Sequence, residues 1–303
     1  MMLAHSFAEL PLDLPSLLTI GTFDGVHRGH RLLLEQARRR ALERRLALVI
    51  VTFEPSPAVV LRSGVRRYQL NAPDIKVRLL AEFGPACILL LPFTLALSRL
   101  SAGEFMDALE ARLAVRELWL GEDFHFGRDR EGDARMLAER GDRSGFALHV
   151  VERRADDPGG ISSSRIRRAL EEGNVELAMQ LLGYPFCLEL AEPRRSKANE
   201  DIEVADYEVR DALAIPATGE YVVLVTGPGG QSAAAACVVD ATASLPLTVV
   251  GRHDQSEPLL VEFIGRLDGE PRAPRRPAEL YHQAVVFGAA WHRPTYEAAG
   301  SHT

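Results

Sequence analysis

Short apolar runs alternate with longer segments of helical period over residues 1–185, a rhythm that belongs to β–α–β units laid on a parallel sheet. The candidate strands are Ser16–Ile20, Leu46–Phe53, Ala86–Phe93, Glu117–Gly121 and Ala147–Val151. Most are apolar at successive positions rather than alternate ones, as strands covered by helices on both faces must be. After the first, Leu33, Ala37 and Ala41 recur at i, i+4 and i+8 while arginines fill the other faces, which makes the arginine clusters a solvated helix surface. Residues 161–183 then read as a helical hairpin, with serines to cap one helix, Gly173 to end it, Asn174 to start the next and Gly183 to stop that. The expectation is an α/β domain with a Rossmann-like parallel sheet, spanning residues 1–185.

Beyond Tyr184 the texture changes to short β-type runs, Glu220–Val225, Ala233–Val239, Leu247–Val250 and Leu259–Ile264, broken by Gly and Pro. No helix of useful length intervenes before Pro277–Phe287, so residues 186–303 are expected to form a small β-barrel domain, with a frayed tail from Trp291. Two domains suit a chain of 303 residues.

Composition narrows the function classes. A formal net charge of −7 argues against a dedicated nucleic-acid binder, because sequence-independent affinity for nucleic acid needs clustered Lys and Arg on a basic surface. The three cysteines, Cys87, Cys187 and Cys237, are odd in number and far apart, which suits neither a disulfide framework nor a zinc site and fits a reducing cytoplasm. The longest apolar runs are of strand length, well short of the ~18 residues needed to cross a bilayer, and the first residues lack the basic start and apolar centre of a signal peptide. A cytoplasmic protein acting on small molecules, without nucleic-acid or membrane partners, is therefore expected; oligomeric state is not legible.

The first strand ends in GTFDGVHRGH, from Gly21 to His30, where three glycines, an aspartate and two histidines precede the helical pattern. Strand, glycine turn and helix together present unpaired backbone N–H groups and the positive end of a helix dipole to an anion, and phosphate is the obvious one. The pattern is neither G-x-G-x-x-G nor G-x-x-x-x-G-K-[ST], so neither a dinucleotide fold nor a P-loop is indicated. His27 and His30 lie one turn apart, so both rings can face the same anion, with Gly29 allowing close backbone approach. Two blander readings remain open at this point: histidines that merely cap a helix, and a zinc site, for which no nearby cluster completes a ligand shell.

These residues resemble the G-x-F-D-G-[VI]-H-x-G-H signature of the bacterial bifunctional riboflavin kinase/FMN adenylyltransferase family, commonly called FAD synthetase, within the H-x-G-H nucleotidyltransferases. Four further blocks follow in the family's order. VTFEPSP (51–57) is similar to V-T-F-x-P-H-P, and PFTLALSRLSAGEF (92–105) with GEDFHFGRDREGD (121–133) to the middle motifs. ISSSRIRRALEEGNVELAMQLLG (161–183) is similar to I-S-S-T-x-I-R-x-x-L-x-x-G-x-[VI]-x-x-A-x-x-[LM]-L-G.

The resemblance implies transfer of AMP from ATP to FMN, giving FAD and pyrophosphate, with Mg²⁺ on the phosphates. It assigns His27, His30 and Arg167 to catalysis and Gly21, Phe23, Asp24, Gly25, Gly29, Asp123, Ser163 and Ser164 to the nucleotide and its phosphates, with Arg165 a weaker candidate. Ser56, Phe124 and Phe126 fall on the flavin or acceptor side. A phosphate monoester has its second pKa near ~6, so the acceptor is mostly a dianion at neutral pH and needs positioning rather than a general base.

Two departures qualify the expectation. Ser56 stands where the family has His, and a hydroxyl can bond a phosphate without carrying charge, which leaves the acceptor less well specified than ATP. In the second domain EPRRSKANEDIEV (192–204) replaces the kinase's G-R-x-L-G-[FY]-P-T-A-N, with Ser196-Lys197 for Pro-Thr, so an ammonium stands where a metal-ligating hydroxyl belongs. Glu257 aligns faintly with the kinase carboxylate. The expectation is a riboflavin-kinase-like barrel whose kinase activity is lost; the alternatives are a fully bifunctional enzyme, a non-catalytic flavin- or nucleotide-binding homologue, and transfer to another acceptor.

Overall fold

The computed structural model describes the chain apart from residues 63, 65, 153–159, 192, 200, 201, 211, 228, 244, 245, 252–258, 268–275 and 292–303. Glu257 and the tail after Trp291 lie outside the described residues. The chain forms two compact units, Met1–Val65 with Pro73–Ile161, and Arg66–Ala72 with Ser162–Thr303. The helical hairpin thus clusters with the second unit, and so does a seven-residue piece drawn from the middle of the first.

In the first unit the strands are β1 (Met2–Ala4), β2 (Leu14–Ile20), β3 (Ala47–Glu54), β4 (Cys87–Pro92), β5 (Leu113–Gly121) and β6 (Ala147–Val151). Its helices are α1 (Arg28–Arg44), α2 (Pro57–Leu61), α3 (Pro73–Ala81), α4 (Ala102–Glu110) and α5 (Ala134–Ser144). All six strands run parallel in the order β1-β4-β3-β2-β5-β6. Successive residues of one strand serve opposite cores, which is why the strands read as unbroken apolar runs. Leu17, Leu48, Ile50 and Ile88 pack with Leu33, Leu34, Ala37 and Ala41 of α1 and Leu80 of α3. Leu18, Val49, Val51 and Leu89 pack on the other face with Phe105, Met106 and Leu109 of α4 and Leu137 of α5.

One strand is added to the expected set and one local expectation changes. Met2–Ala4 is a strand, paired with β4 at the sheet edge, although its first two residues are exposed. The arginine face of α1 is not wholly solvated: Arg40 donates to both carboxylate oxygens of the buried Glu117 on β5, at 3.0 and 3.1 Å, and Arg44 lies 3.5 Å from it. Trp119 Nε1 donates to the same carboxylate at 3.1 Å and His149 Nε2 stands 3.3 Å away, so one buried acid ties α1 to two strands.

The second unit begins with α6 (Ser163–Glu171) and α7 (Val175–Leu182), capped by Ser162 and Asn174 and separated at Gly173, whose φ is +73°. Seven strands follow, β7 (Phe186–Leu190), β8 (Arg195–Asn199), β9 (Ile202–Tyr207), β10 (Gly219–Thr226), β11 (Ser232–Val239), β12 (Leu247–Gly251) and β13 (Leu259–Arg266), then α8 (Pro277–Ala290). They form one antiparallel sheet in the order β7-β13-β10-β11-β12-β9-β8, a half-barrel. Val222, Ala236, Val250 and Ile264 lie under Leu280 and Ala284 of α8, while the alternate residues, among them Tyr221, Cys237, Val249, Tyr207 and Phe263, are also buried. Trp291, expected to fray, packs against the α8 cluster.

Candidate nucleotide site

The chain runs from β2 outward through β3 to β4, then returns to the other side of β2 to lay down β5 and β6. The reversal falls between β2 and β5, and in open α/β sheets ligands bind beyond the strand carboxyl ends at such a switch point. GTFDGVHRGH leaves the carboxyl end of β2 and Asp123 follows the carboxyl end of β5, in strands paired through Thr19 and Trp119.

The turn after β2 is held tightly. Gly21 N–H donates to the Val51 carbonyl at 3.0 Å and Thr52 Oγ1 to the Thr22 carbonyl at 3.1 Å. Phe23, Gly25 and Val26 have φ of +44°, +84° and +33°, a conformation costly for a phenylalanine and more so for a β-branched valine. Burial of both side chains in the α1-side core offsets that strain. A Cβ on Gly21 would stand 3.0 Å from the Phe23 ring, which would have to shift to admit it. Asp24 is buried within it.

His27 is the N-cap of α1 and its Nδ1 accepts from the His30 N–H at 3.3 Å. An accepting Nδ1 in a neutral imidazole places the proton on Nε2, so the cap turns His27 into a donor at its outer nitrogen. The His30 ring stacks on that of His27, centroids 3.6 Å apart and planes 13° from parallel, with Phe23 edge-on at 5.3 Å. Its Nδ1 is buried without a hydrogen-bond partner. Burial, and then the neighbouring His27, hold the His30 pKa well below the usual histidine value, so His30 is neutral at pH 7. A Cβ on Gly29 would lie 3.2 Å from the His27 ring. The expected pair therefore exists, as stacked rings at a helix start whose dipole favours an anion.

Asp123 is exposed, and its carbonyl lies 3.1 Å from His125 Nδ1. Phe124 is half-buried and stacks on Phe126 at 5.3 Å, whereas Phe126 itself sits in the core against Phe105. Ser56 caps α2 in position only: it is buried and its hydroxyl makes no cap bond. Close by in sequence, the wholly buried Lys76 donates to the Phe53 carbonyl at 2.9 Å and to Glu54 at 2.8 Å, pinning the carboxyl end of β3. The sequence signal for Lys76 was a lone cation beside Ile75 in the apolar stripe of α3, and it went unread.

In the second unit Ser162, not Ser163 or Ser164, accepts the cap bond, from Arg165 N–H at 3.3 Å; Ser163 and Ser164 occupy the first two helical positions. Arg167, a turn later, donates from Nε to the Tyr68 carbonyl at 2.7 Å and lies over the Tyr68 ring at 3.6 Å. The described residues contain no group of three or more His, Cys, Asp or Glu placed to hold a metal. A magnesium ion at such a site would be carried chiefly on a nucleotide's own phosphate oxygens and water.

Comparison with known proteins agrees with the geometry. Residues 11–165 match the FAD synthetase family. The bifunctional riboflavin kinase/FMN adenylyltransferase of Escherichia coli K12 is 34% identical over 228 residues, 74% of this chain and 72% of that protein, and that of Listeria monocytogenes is 32% identical over 214 residues, 70% and 68%. The E. coli alignment is longer than residues 1–185, so the likeness reaches into the β-rich part. A crystal structure described as a macrolide-efflux protein from Streptococcus pneumoniae superposes with a TM-score of 0.75 over 95% of this chain and 96% of its own at 24% identity, which speaks for the fold alone. A parallel sheet with paired histidines at its switch point, followed by an antiparallel half-barrel, is thus the architecture of a chain that belongs to the FAD synthetase family.

Proposed function

We propose that this chain transfers AMP from Mg-ATP to FMN, forming FAD and pyrophosphate, with residues 1–185 as the adenylyltransferase part. An FMN phosphate oxygen attacks the α-phosphorus; a new P–O bond forms as the bond to the bridging oxygen breaks, and pyrophosphate departs with its electron pair. The acceptor is already anionic near neutral pH, so no side chain has to remove a proton.

The observation that carries this reading is the stacked His27–His30 pair on the first turn of α1. His27 Nε2–H and the first N–H groups of α1 are donors for the ATP phosphates, stabilising charge that grows on the leaving group. Gly21, Phe23, Asp24 and Gly25 shape the turn, Gly29 keeps the His27 ring in place, and Asp123 reaches the nucleoside. Ser163, Ser164 and Arg167 are proposed as nucleotide ligands on their motif, with Arg167 in the catalytic role and Arg165 secondary. Ser56 and Phe124 meet the acceptor.

We also propose that riboflavin kinase activity is lost. The Ser196-Lys197 pair lies on the edge strand β8, where Lys197 is exposed and pairs in register with Val204. The names of the relatives favour the opposite reading, a bifunctional enzyme. One chromatographic end-point assay separates them: purified protein with Mg-ATP and either FMN or riboflavin, beside His27→Ala. FAD from FMN alone, reduced about 10²–10³-fold in the variant, supports the proposal. FMN or FAD from riboflavin restores the kinase. No product in either tube leaves a binding protein or another acceptor.

A further inference from the structure

The segment 66–72 leaves the first unit between α2 and α3 and clusters with the second, where Tyr68, Gln69 and Asn71 find hydrogen-bond partners. Tyr68 and Gln69 N–H both donate to the Ala212 carbonyl, at 2.8 and 2.7 Å, and the Gln69 carbonyl accepts from Ala214 N–H at 2.8 Å. Asn71 Nδ2 donates to the Tyr184 hydroxyl at 3.3 Å. Three residues of so short a piece are thus bonded to partners at positions 184, 212 and 214 of the second unit.

What this fixation holds is Tyr68 against Arg167. The guanidinium carbon stands 3.6 Å from the Tyr68 ring centroid, well inside the ~6 Å within which a cation is attracted to a ring face. Its Nε donates at 2.7 Å to the main-chain oxygen of the same residue. One residue thus offers both a flat face and an in-plane acceptor, which together determine where the guanidinium plane lies and how it is rotated. A planar fork owes its specificity for phosphate to that orientation, and a flexible arginine loses rotamer freedom each time it binds.

We propose that Tyr68 is a positioning residue that pre-orients Arg167 for the nucleotide phosphates, a role that rests on the assignment of Arg167 above. The ring contributes the stacking and the main chain the acceptor, so removal of the ring alone keeps the Nε bond and takes away the flat face that sets the guanidinium plane.

The test is a double-mutant cycle on the full-length chain, with Tyr68→Leu, Tyr68→Phe, Arg167→Ala and the pair Tyr68→Leu/Arg167→Ala. Affinity is read by calorimetry with Mg²⁺ and an ATP analogue carrying a methylene bridge between the α- and β-phosphates, and FAD formation is read in parallel. Tyr68→Leu is expected to weaken analogue binding about 3- to 10-fold, the range of a cation–π contact of partial burial. Tyr68→Phe is expected to restore most of that loss, and Tyr68→Leu to have no effect once Arg167 is alanine. Equal losses for Tyr68→Leu in both backgrounds would overturn the proposal, as would unchanged binding in Tyr68→Leu, or a failure of the intact chain to bind the analogue. Normal coupling without FAD formation would instead sink the proposed reaction and leave the positioning role standing.

Discussion

At the scale of single residues, the site depends on a cap that happens to be an imidazole. His27 Nδ1 is occupied by the helix, so its remaining nitrogen is committed as donor, and the ring is braced between Gly29 and His30. Gly29→Ala is expected to push that ring aside and lower FAD formation by at least about tenfold, since a displacement on the order of 1 Å already costs up to about 100-fold, while the melting temperature stays near that of the parent. His30 makes a separate prediction. Its folded pKa lies below the unfolded value near ~6.5, so the unfolded chain takes up a proton first as pH falls and stability is lost from about pH 6.5 downward. Urea midpoints measured from pH 8 to pH 5.5 should fall less steeply in His30→Gln than in the parent; equal slopes would remove His30 as the cause. The two histidines were legible from their spacing and setting, whereas their stacking and the tautomer were not, because both follow from the cap geometry.

At the scale of elements, the buried carboxylate of Glu117 does what apolar packing alone does not, registering α1 against β5 and β6. Burial by itself raises the Glu117 pKa, but the hydrogen bonds from Arg40 and Trp119, with the charges of Arg40 and His149, outweigh it and the net shift is downward. Its contribution is therefore present above the usual carboxylate range and is lost as pH falls through that range. Glu117→Ala is expected to cost about 2 kcal/mol in denaturant unfolding, less than the ~3–5 kcal/mol for breaking a wholly buried pair because Arg40 regains water. Ser162→Ala is expected to cost about 1 kcal/mol by removing the α6 cap, with Ser163→Ala well below that, a contrast that thermal melts will read. The strands of the first sheet were legible because both faces are buried and each reads as an unbroken apolar run. Met2–Ala4 escaped because three residues carry no periodicity, and the β8–β9 hairpin because its outer strand, Arg-Ser-Lys-Ala-Asn, is polar and takes its structure from its partner.

At the scale of the molecule, the two units are interleaved in sequence: residues 66–72 belong with partners that begin at 162. That was not legible, because the segment has no turn chemistry or periodicity to announce it. A fragment of residues 1–185 keeps Arg167 and Tyr184 but loses Ala212 and Ala214, three of the backbone bonds that hold Tyr68 and Gln69. Trypsin is expected to cut that fragment after Arg66 and Arg67 faster than the full chain, and equal rates would show the segment to be held by other means. The same interleaving sets a schedule for synthesis. Tyr68 and Gln69 leave the ribosome about 140 residues ahead of the carbonyl that anchors them, and at ~5–20 residues per second they wait on the order of 10 s, with two arginines beside them, for the partner segment to be made.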